Sequence, residues 1–107
     1  MSKEETKIDV LLTTLWDRNL PLLRERLDTL DRAAAAAASG GHLPETLRSD
    51  ALGIAHKLSG SLGMFGRHRG TEIAREMEAI LRDMAPTDLP RLAVLAAELR
   101  SAVFPEG

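Results

Sequence analysis

The sequence has no cysteine and no tyrosine, and aromatic residues make up 3% of its 107 positions. The lack of cysteine excludes disulfide bonds and thiolate metal ligands, and it suits a reducing compartment. The formal net charge of −2 gives no electrostatic reason to expect nucleic acid or an anionic membrane as partner. No apolar run approaches the roughly 20 residues that span a bilayer, and the charged N-terminus lacks the apolar core of a signal peptide. We therefore expect a cytoplasmic protein.

Leucine and alanine dominate, while β-branched residues are few, a composition that favours helices over strands. The length fits one domain, residues 1–107, with a modest core. Pro21 predicts an end or a kink of the first helix near Asn19. Because short connections favour antiparallel neighbours, we predict an all-α fold, an antiparallel up-down four-helix bundle with an additional N-terminal helix. The spacing of apolar residues places the helices at about 2–19, 20–39, 45–64, 69–84 and 88–103.

One histidine stands out in the third predicted helix. At about 100° per residue, His56 lies nearly opposite the apolar stripe of that helix. Gly53, Gly60 and Gly63 share its side, although each glycine costs a helix roughly 1 kcal/mol relative to alanine. With Leu52 about one turn earlier, they predict a small, flat, partly apolar surface that another protein could approach closely.

An imidazole can act as a base, a metal ligand or a nucleophile. Ser59 is within helical reach of His56, but the sequence shows no orienting carboxylate, oxyanion hole or cleft that a hydrolase would need. His42, His56 and His68 lack paired ligand spacing, so no metal site is predicted. A nucleophilic imidazole that passes a group between two proteins fits best. A carboxylate could hydrogen-bond its Nδ1 across the bundle, and the sequence does not select among Glu72, Glu76 and Glu78.

The segment 55–66 resembles the signature of histidine-containing phosphotransfer (HPt) domains. That pattern has a histidine, an apolar residue two positions on, glycine four on, a small residue five on and glycine ten on. Segment 73–78 also resembles the start of the family's next helix. The matching residues of the signature are His56, Leu58, Gly60, Ser61 and Gly66.

The resemblance implies that His56 is the phosphoacceptor. It would exchange a phosphoryl group with an aspartate of a response-regulator receiver domain, or receive one from a sensor histidine kinase. The receiver supplies Mg²⁺, so the chain would need no cofactor and would be a phosphocarrier without catalytic activity of its own. We expect a monomer, with docking through Leu52, Gly53, Ser59, Gly60 and Gly63.

The sequence departs from the family at one position. Many members carry lysine or arginine three residues after the histidine, where this chain has Ser59. Lys57 is adjacent in sequence but points about 100° away around the helix. Arg67, in the basic turn that follows, could supply charge instead. We therefore predict Lys57 and Arg67 as the residues nearest the phosphate.

Three alternatives remain open at the level of sequence. The first is a phosphorylation-silent adaptor of the same fold that binds a receiver or a histidine kinase. The second is a phosphoacceptor input domain of a chemotaxis-type kinase. The third is a small metal-dependent or hydrolytic enzyme. The sequence contains no P-loop and no glycine-rich nucleotide lid, which excludes a complete kinase.

Overall fold

The computed structural model describes residues 3–38 and 42–104, with side chains described from Lys7 onward. This part of the chain is all-helical and contains no strand. None of its helices combines the length and the apolar character needed to cross a bilayer. The helices are α1 (Lys3–Ala38), α2 (Glu45–Met64), α3 (His68–Asp83) and α4 (Arg91–Val103).

Helix α1 continues through Pro21, so the prediction that a helix ends there is wrong. The expected separate N-terminal helix is instead the first half of one 36-residue helix. The backbone nitrogen of Pro21 carries no hydrogen, so it cannot donate the helical hydrogen bond to the carbonyl oxygen of Asp17, four residues earlier. Both residues are exposed, which leaves that carbonyl open to water. The helix is stabilised on both sides of the proline by contacts with the core. Trp16 and Leu20 make these contacts before it, and Leu23 makes them after it.

Helices α2 and α3 pair antiparallel. At the start of α2, Arg48 Nη1 donates to the carbonyl oxygen of Leu81 near the end of α3, at 2.9 Å. At the other end, Gly70 of α3 packs so closely on Leu62 that an added Cβ would lie 2.9 Å from its Cδ1. Arg48 also hydrogen-bonds Glu45, and this bond is the main cause that lowers the pKa of Glu45 and raises the pKa of Arg48. The register of the pair, which sets what His56 faces, is thus fixed at both ends.

Helix α4 packs against α1 and α3, and α1 also packs against α2. Arg100 of α4 donates to Asp28 at 2.9 Å and to Asp31 at 2.7 Å, both on α1. The hydrogen bond to Asp31 is the largest cause that raises the pKa of Arg100. One turn away, the guanidinium of Arg24 lies 4.7 Å from the ring centroid of Phe104. Each helix therefore contacts two others around a common core.

The core is built from leucines and small residues of all four helices. The alanine run of α1 contributes Ala33, Ala34 and Ala37, whose small side chains allow close helix packing. By contrast, Ile8, Val10 and Leu11 at the start of α1 are exposed and lie outside the core. The largest fully buried side chains are Leu27, Leu30, Leu58, Leu62, Ile73, Met77, Leu81, Leu92, Leu99 and Val103.

Candidate functional site

The imidazole of His56 projects from the middle of α2 into solvent. Its side chain is 73% exposed, whereas Ala55, Leu58 and Leu62 of the same helix are buried. The helical wheel predicted this placement opposite the apolar stripe. The exposed ring is therefore accessible to a second macromolecule.

Glu78 of α3 fixes the orientation of this ring. Its Oε2 lies 2.9 Å from His56 Nδ1, and its side chain is only 17% exposed. An ionised carboxylate can only accept a hydrogen bond, so Nδ1 carries the proton and donates it. In the neutral ring the lone pair then lies on Nε2, which has no hydrogen-bond partner within the described residues. The site therefore presents an oriented ring whose Nε2 is open to solvent.

The structure selects Glu78 from the three carboxylates that the sequence left open. Glu72 pairs with Arg69, and Glu76 pairs with Arg91 at the start of α4. The selection follows from the antiparallel register of α2 and α3. That register depends on packing between helices, so the spacing within either helix alone does not reveal it.

A third charged residue completes the cluster. Arg82, one turn after Glu78 on α3, places Nη2 3.3 Å from the same Oε2. Its side chain is 59% exposed. The sequence analysis names Glu78 among three candidates but misses Arg82, although the i,i+4 spacing of the two residues is typical of a helical ion pair.

The predicted docking residues separate into two groups. Gly53 and Gly60 are exposed, and a Cβ at either would meet nothing within 4 Å. Packing within the described chain therefore does not require glycine at these positions. Gly63 faces α3 instead, where an added Cβ would lie 3.4 Å from Thr71 Oγ1. Leu52 is partly buried and packs against the core.

Ser59 does not reproduce the basic residue of the family pattern. Its Oγ donates to the carbonyl oxygen of His56 at 2.7 Å, so the hydroxyl is engaged by its own helix. Lys57 is exposed beside His56. Ser59 therefore offers no positive charge to a phosphate, whereas Lys57 offers one at the end of a flexible side chain.

Arg67 lies at the end of the α2–α3 pair. Its guanidinium is 4.7 Å from the ring centroid of Trp16, which in turn lies 5.2 Å from the ring of Phe65. Its Nε is buried without a hydrogen-bond partner in the described part of the chain. From His56 to the end of α2 is about 12 Å of helix. The structure thus brings Arg82 beside His56, while the placement of Arg67 near a phosphate stays a prediction.

The turn between α2 and α3 explains one glycine of the signature. Gly66 has φ of 77°, in the left-handed region that other residues enter at a cost. The turn directs the chain from α2 into α3, and so towards Glu78. Among the described residues, no group of three or more histidine, aspartate or glutamate side chains could hold a metal ion.

Comparison with known proteins places this geometry in a family. A family model described as Hpt domain matches residues 15–103, which span the core and the cluster around His56. No curated protein and no solved structure matches the chain. Hpt domains are histidine phosphotransfer modules of two-component systems and interact with receiver domains and histidine kinases. Because the match covers most of the chain, the protein belongs to the Hpt domain family.

Proposed function

We propose that His56 carries a phosphoryl group to or from an aspartate of a receiver domain in a two-component phosphorelay. The observation that carries this proposal is the hydrogen bond from His56 Nδ1 to Glu78, which orients the ring and leaves Nε2 without a partner in the described part of the chain. Phosphoryl transfer depends mainly on positioning and on neutralising charge. An oriented nucleophile on an accessible surface meets the first of these needs.

The step is a displacement at phosphorus. The lone pair of His56 Nε2 attacks the phosphorus of an aspartyl phosphate, and an Nε2–P bond forms. The P–O bond to the aspartyl carboxylate breaks, and its electron pair stays on that carboxylate. The ring retains its Nδ1 proton and becomes positively charged. Transfer in the opposite direction reverses each change.

Glu78 opposes the charge that develops on the ring during this step. A carboxylate that holds one imidazole nitrogen fixes the tautomer and stabilises the imidazolium, as in a serine protease triad. Glu78 is mostly buried and belongs to α3, so it is held in place while His56 reacts. We assign it the role of positioning residue.

The surface around His56 fits a receiver domain that approaches closely. Gly53 and Gly60 lie three residues before and four after the histidine, and both are open to solvent. The antiparallel contacts among the helices support an up-down four-helix bundle as the scaffold. We propose a monomeric cytoplasmic carrier without a cofactor of its own, because the receiver domain supplies the Mg²⁺ for transfer. A sensor histidine kinase can also phosphorylate the carrier.

A second candidate is the phosphorylation-silent adaptor. Ser59 favours it, because its hydroxyl bonds its own backbone and brings no positive charge to the phosphate. The pair formed by His56 and Glu78 favours the phosphoacceptor, since docking alone does not need a fixed tautomer. The two candidates differ in whether His56 accepts phosphate.

We expect His56→Gln to abolish phosphate acceptance while the protein stays helical. The measurement is transfer from a panel of prephosphorylated receiver domains in the presence of Mg²⁺, read as acid-labile label. His68→Gln is the matched control, because His68 is an exposed histidine at the start of α3. That variant should be labelled like the unmodified protein.

Two results would contradict the proposal. Label that persists in His56→Gln would move the acceptor elsewhere, and label that survives strong acid would indicate serine or threonine chemistry. Receiver binding without label from any donor would favour the silent adaptor.

A further inference from the structure

We propose that Arg82 supplies the positive charge that binds the phosphoryl group on His56. This inference rests on the proposed function, since it concerns the phosphorylated state of that residue. It assigns to α3 a task that many Hpt domains give to a basic residue three positions after the histidine. In this chain that position is Ser59.

The geometry places Arg82 within reach of the imidazole. Its Nη2 and His56 Nδ1 contact the same oxygen of Glu78, at 3.3 and 2.9 Å. A guanidinium has five N–H donors in a planar fork, and the described contacts of Arg82 use one nitrogen. The side chain is long and mostly exposed, so its head can move from the carboxylate towards Nε2 without disturbing the core.

The other cations near His56 are placed less favourably. Lys57 points about 100° away around α2. Arg67 stacks on Trp16 at the end of the helix pair. Arg75 is exposed on α3, and no contact in the described part of the chain joins it to Glu78 or to His56. Arg82 is the cation that the structure ties to the reacting ring.

Phosphorylation changes the charge of this cluster. A phosphoryl group adds about −1.5 to −2 charges and three acceptor oxygens. Placed on Nε2, it adds a second negative group to a ring whose Nδ1 already contacts the carboxylate of Glu78, and like charges repel. The Arg82 end of this pair is 59% exposed to water and Glu78 keeps its contact with His56, so little free energy is lost when the guanidinium leaves Glu78. Its fork can then donate to two phosphoryl oxygens, which is the stronger arrangement.

Arg82 forms no covalent bond and moves no proton in this scheme. It stabilises the bound phosphoryl group, and the charge spread over its oxygens during transfer. Phosphorylated His56 is then held by two residues of one α3 turn. Glu78 faces Nδ1, and Arg82 faces the phosphate.

The test uses phosphoramidate, a small phosphodonor, so that it does not depend on a receiver. Here Nε2 displaces ammonia from phosphorus, and ³¹P NMR follows the phosphohistidine formed. We expect Arg82→Gln to slow the reaction roughly three- to tenfold, the effect of losing an exposed charge pair. Arg82→Lys should restore much of the rate. Arg91→Gln is the matched control, because Arg91 pairs with Glu76 away from the site.

Two further measurements separate direct binding from an effect through Glu78. The side-chain NMR signals of Arg82 should shift on phosphorylation of His56, while those of Arg91 stay in place. In a Glu78→Gln background, Arg82→Gln should still slow the reaction, whereas a residue acting only through Glu78 would have no further effect.

An unchanged rate in Arg82→Gln, or Arg82 signals that do not shift, would overturn the inference. So would a loss confined to Arg75→Gln or Lys57→Gln, which would assign the charge to those residues. If phosphoramidate leaves His56 unmodified, both this inference and the proposed function fail. If phosphoramidate shows the Arg82 effect but no receiver transfers phosphate, the proposed function alone fails.

Discussion

At the scale of single residues, the chemistry of His56 depends on one carboxylate. Glu78 Oε2 accepts a hydrogen bond from His56 Nδ1 at 2.9 Å, and in the neutral ring the lone pair then lies on Nε2. An exposed imidazole without such a partner would divide its proton between both nitrogens and rotate freely. The contact therefore changes an ordinary surface histidine into an oriented nucleophile.

We expect Glu78→Gln to slow phosphate acceptance by His56 about ten- to a hundredfold. The amide can still accept a hydrogen bond, but it cannot oppose the charge that develops on the ring. The factor corresponds to a hydrogen bond to a charged group, worth about 1.5–3 kcal/mol. Transfer kinetics from a phosphorylated receiver measure it. Glu76→Gln makes the same change on the same helix and should leave the rate unaltered, and equal losses in both variants would refute the role of Glu78.

His56 itself could be predicted from sequence, whereas its partners could not. The wheel position and the surrounding glycines are properties of one helix, so local spacing reveals them. Glu78 and Arg82 come from a second helix. Their contact with His56 depends on the α2–α3 register that Arg48 and Gly70 help to fix. Only three-dimensional packing selects Glu78 over Glu72 and Glu76.

At the scale of elements, the glycines of α2 and α3 differ in what surrounds them. Gly53 and Gly60 face open space, while Gly70 of the neighbouring helix sits against Leu62. The first two weaken their helix without any return in packing. At Gly70 a methyl group fits only if the end of the buried Leu62 side chain shifts.

We expect Gly53→Ala and Gly60→Ala each to raise the free energy of unfolding by about 0.5–1 kcal/mol. Gly70→Ala should lack this gain, because the end of the Leu62 side chain must shift to admit the new Cβ. Denaturant unfolding measures all three. The two stabilised variants should nevertheless exchange phosphate with a receiver more slowly, and Gly60→Glu should block docking. Normal exchange by Gly60→Glu would show that the glycine surface has no role in docking.

The course of α1 shows why element boundaries were harder to predict than element type. Pro21 is a strong local signal that predicts a helix end. Tertiary contacts of Trp16, Leu20 and Leu23 on either side of it outweigh that signal. The helix at 45–64, by contrast, was predicted with its observed bounds, because Pro44 precedes it and a glycine-containing turn follows it.

At the scale of the whole molecule, charged side chains join helices that are distant in sequence. Arg100 links α4 to Asp28 and Asp31 of α1, on the side away from the pair that carries His56. Burial of the core supplies most of the stability, and these hydrogen bonds join the last helix to the first.

We expect Arg100→Gln to lower the free energy of unfolding by about 1 kcal/mol, a modest effect because the pair is partly exposed. In a domain of this size that corresponds to a fall in melting temperature of about 4–8 °C. The difference from the unmodified protein should shrink at about 1 M salt, where the Debye length is about 3 Å. A difference independent of salt would mean that the aliphatic stem of Arg100 matters more than its charge.

The contacts of Trp16 with Phe65 and Arg67 have a practical consequence. Trp16 is the single tryptophan of the chain, and it lies where α1 meets the end of α2. Its fluorescence therefore reports one junction of the fold, free of any second emitter and without an added label. A spectrum unchanged in the His56, Glu78 and Arg82 variants would show, on the same samples as the transfer assays, that α1 still covers the end of α2.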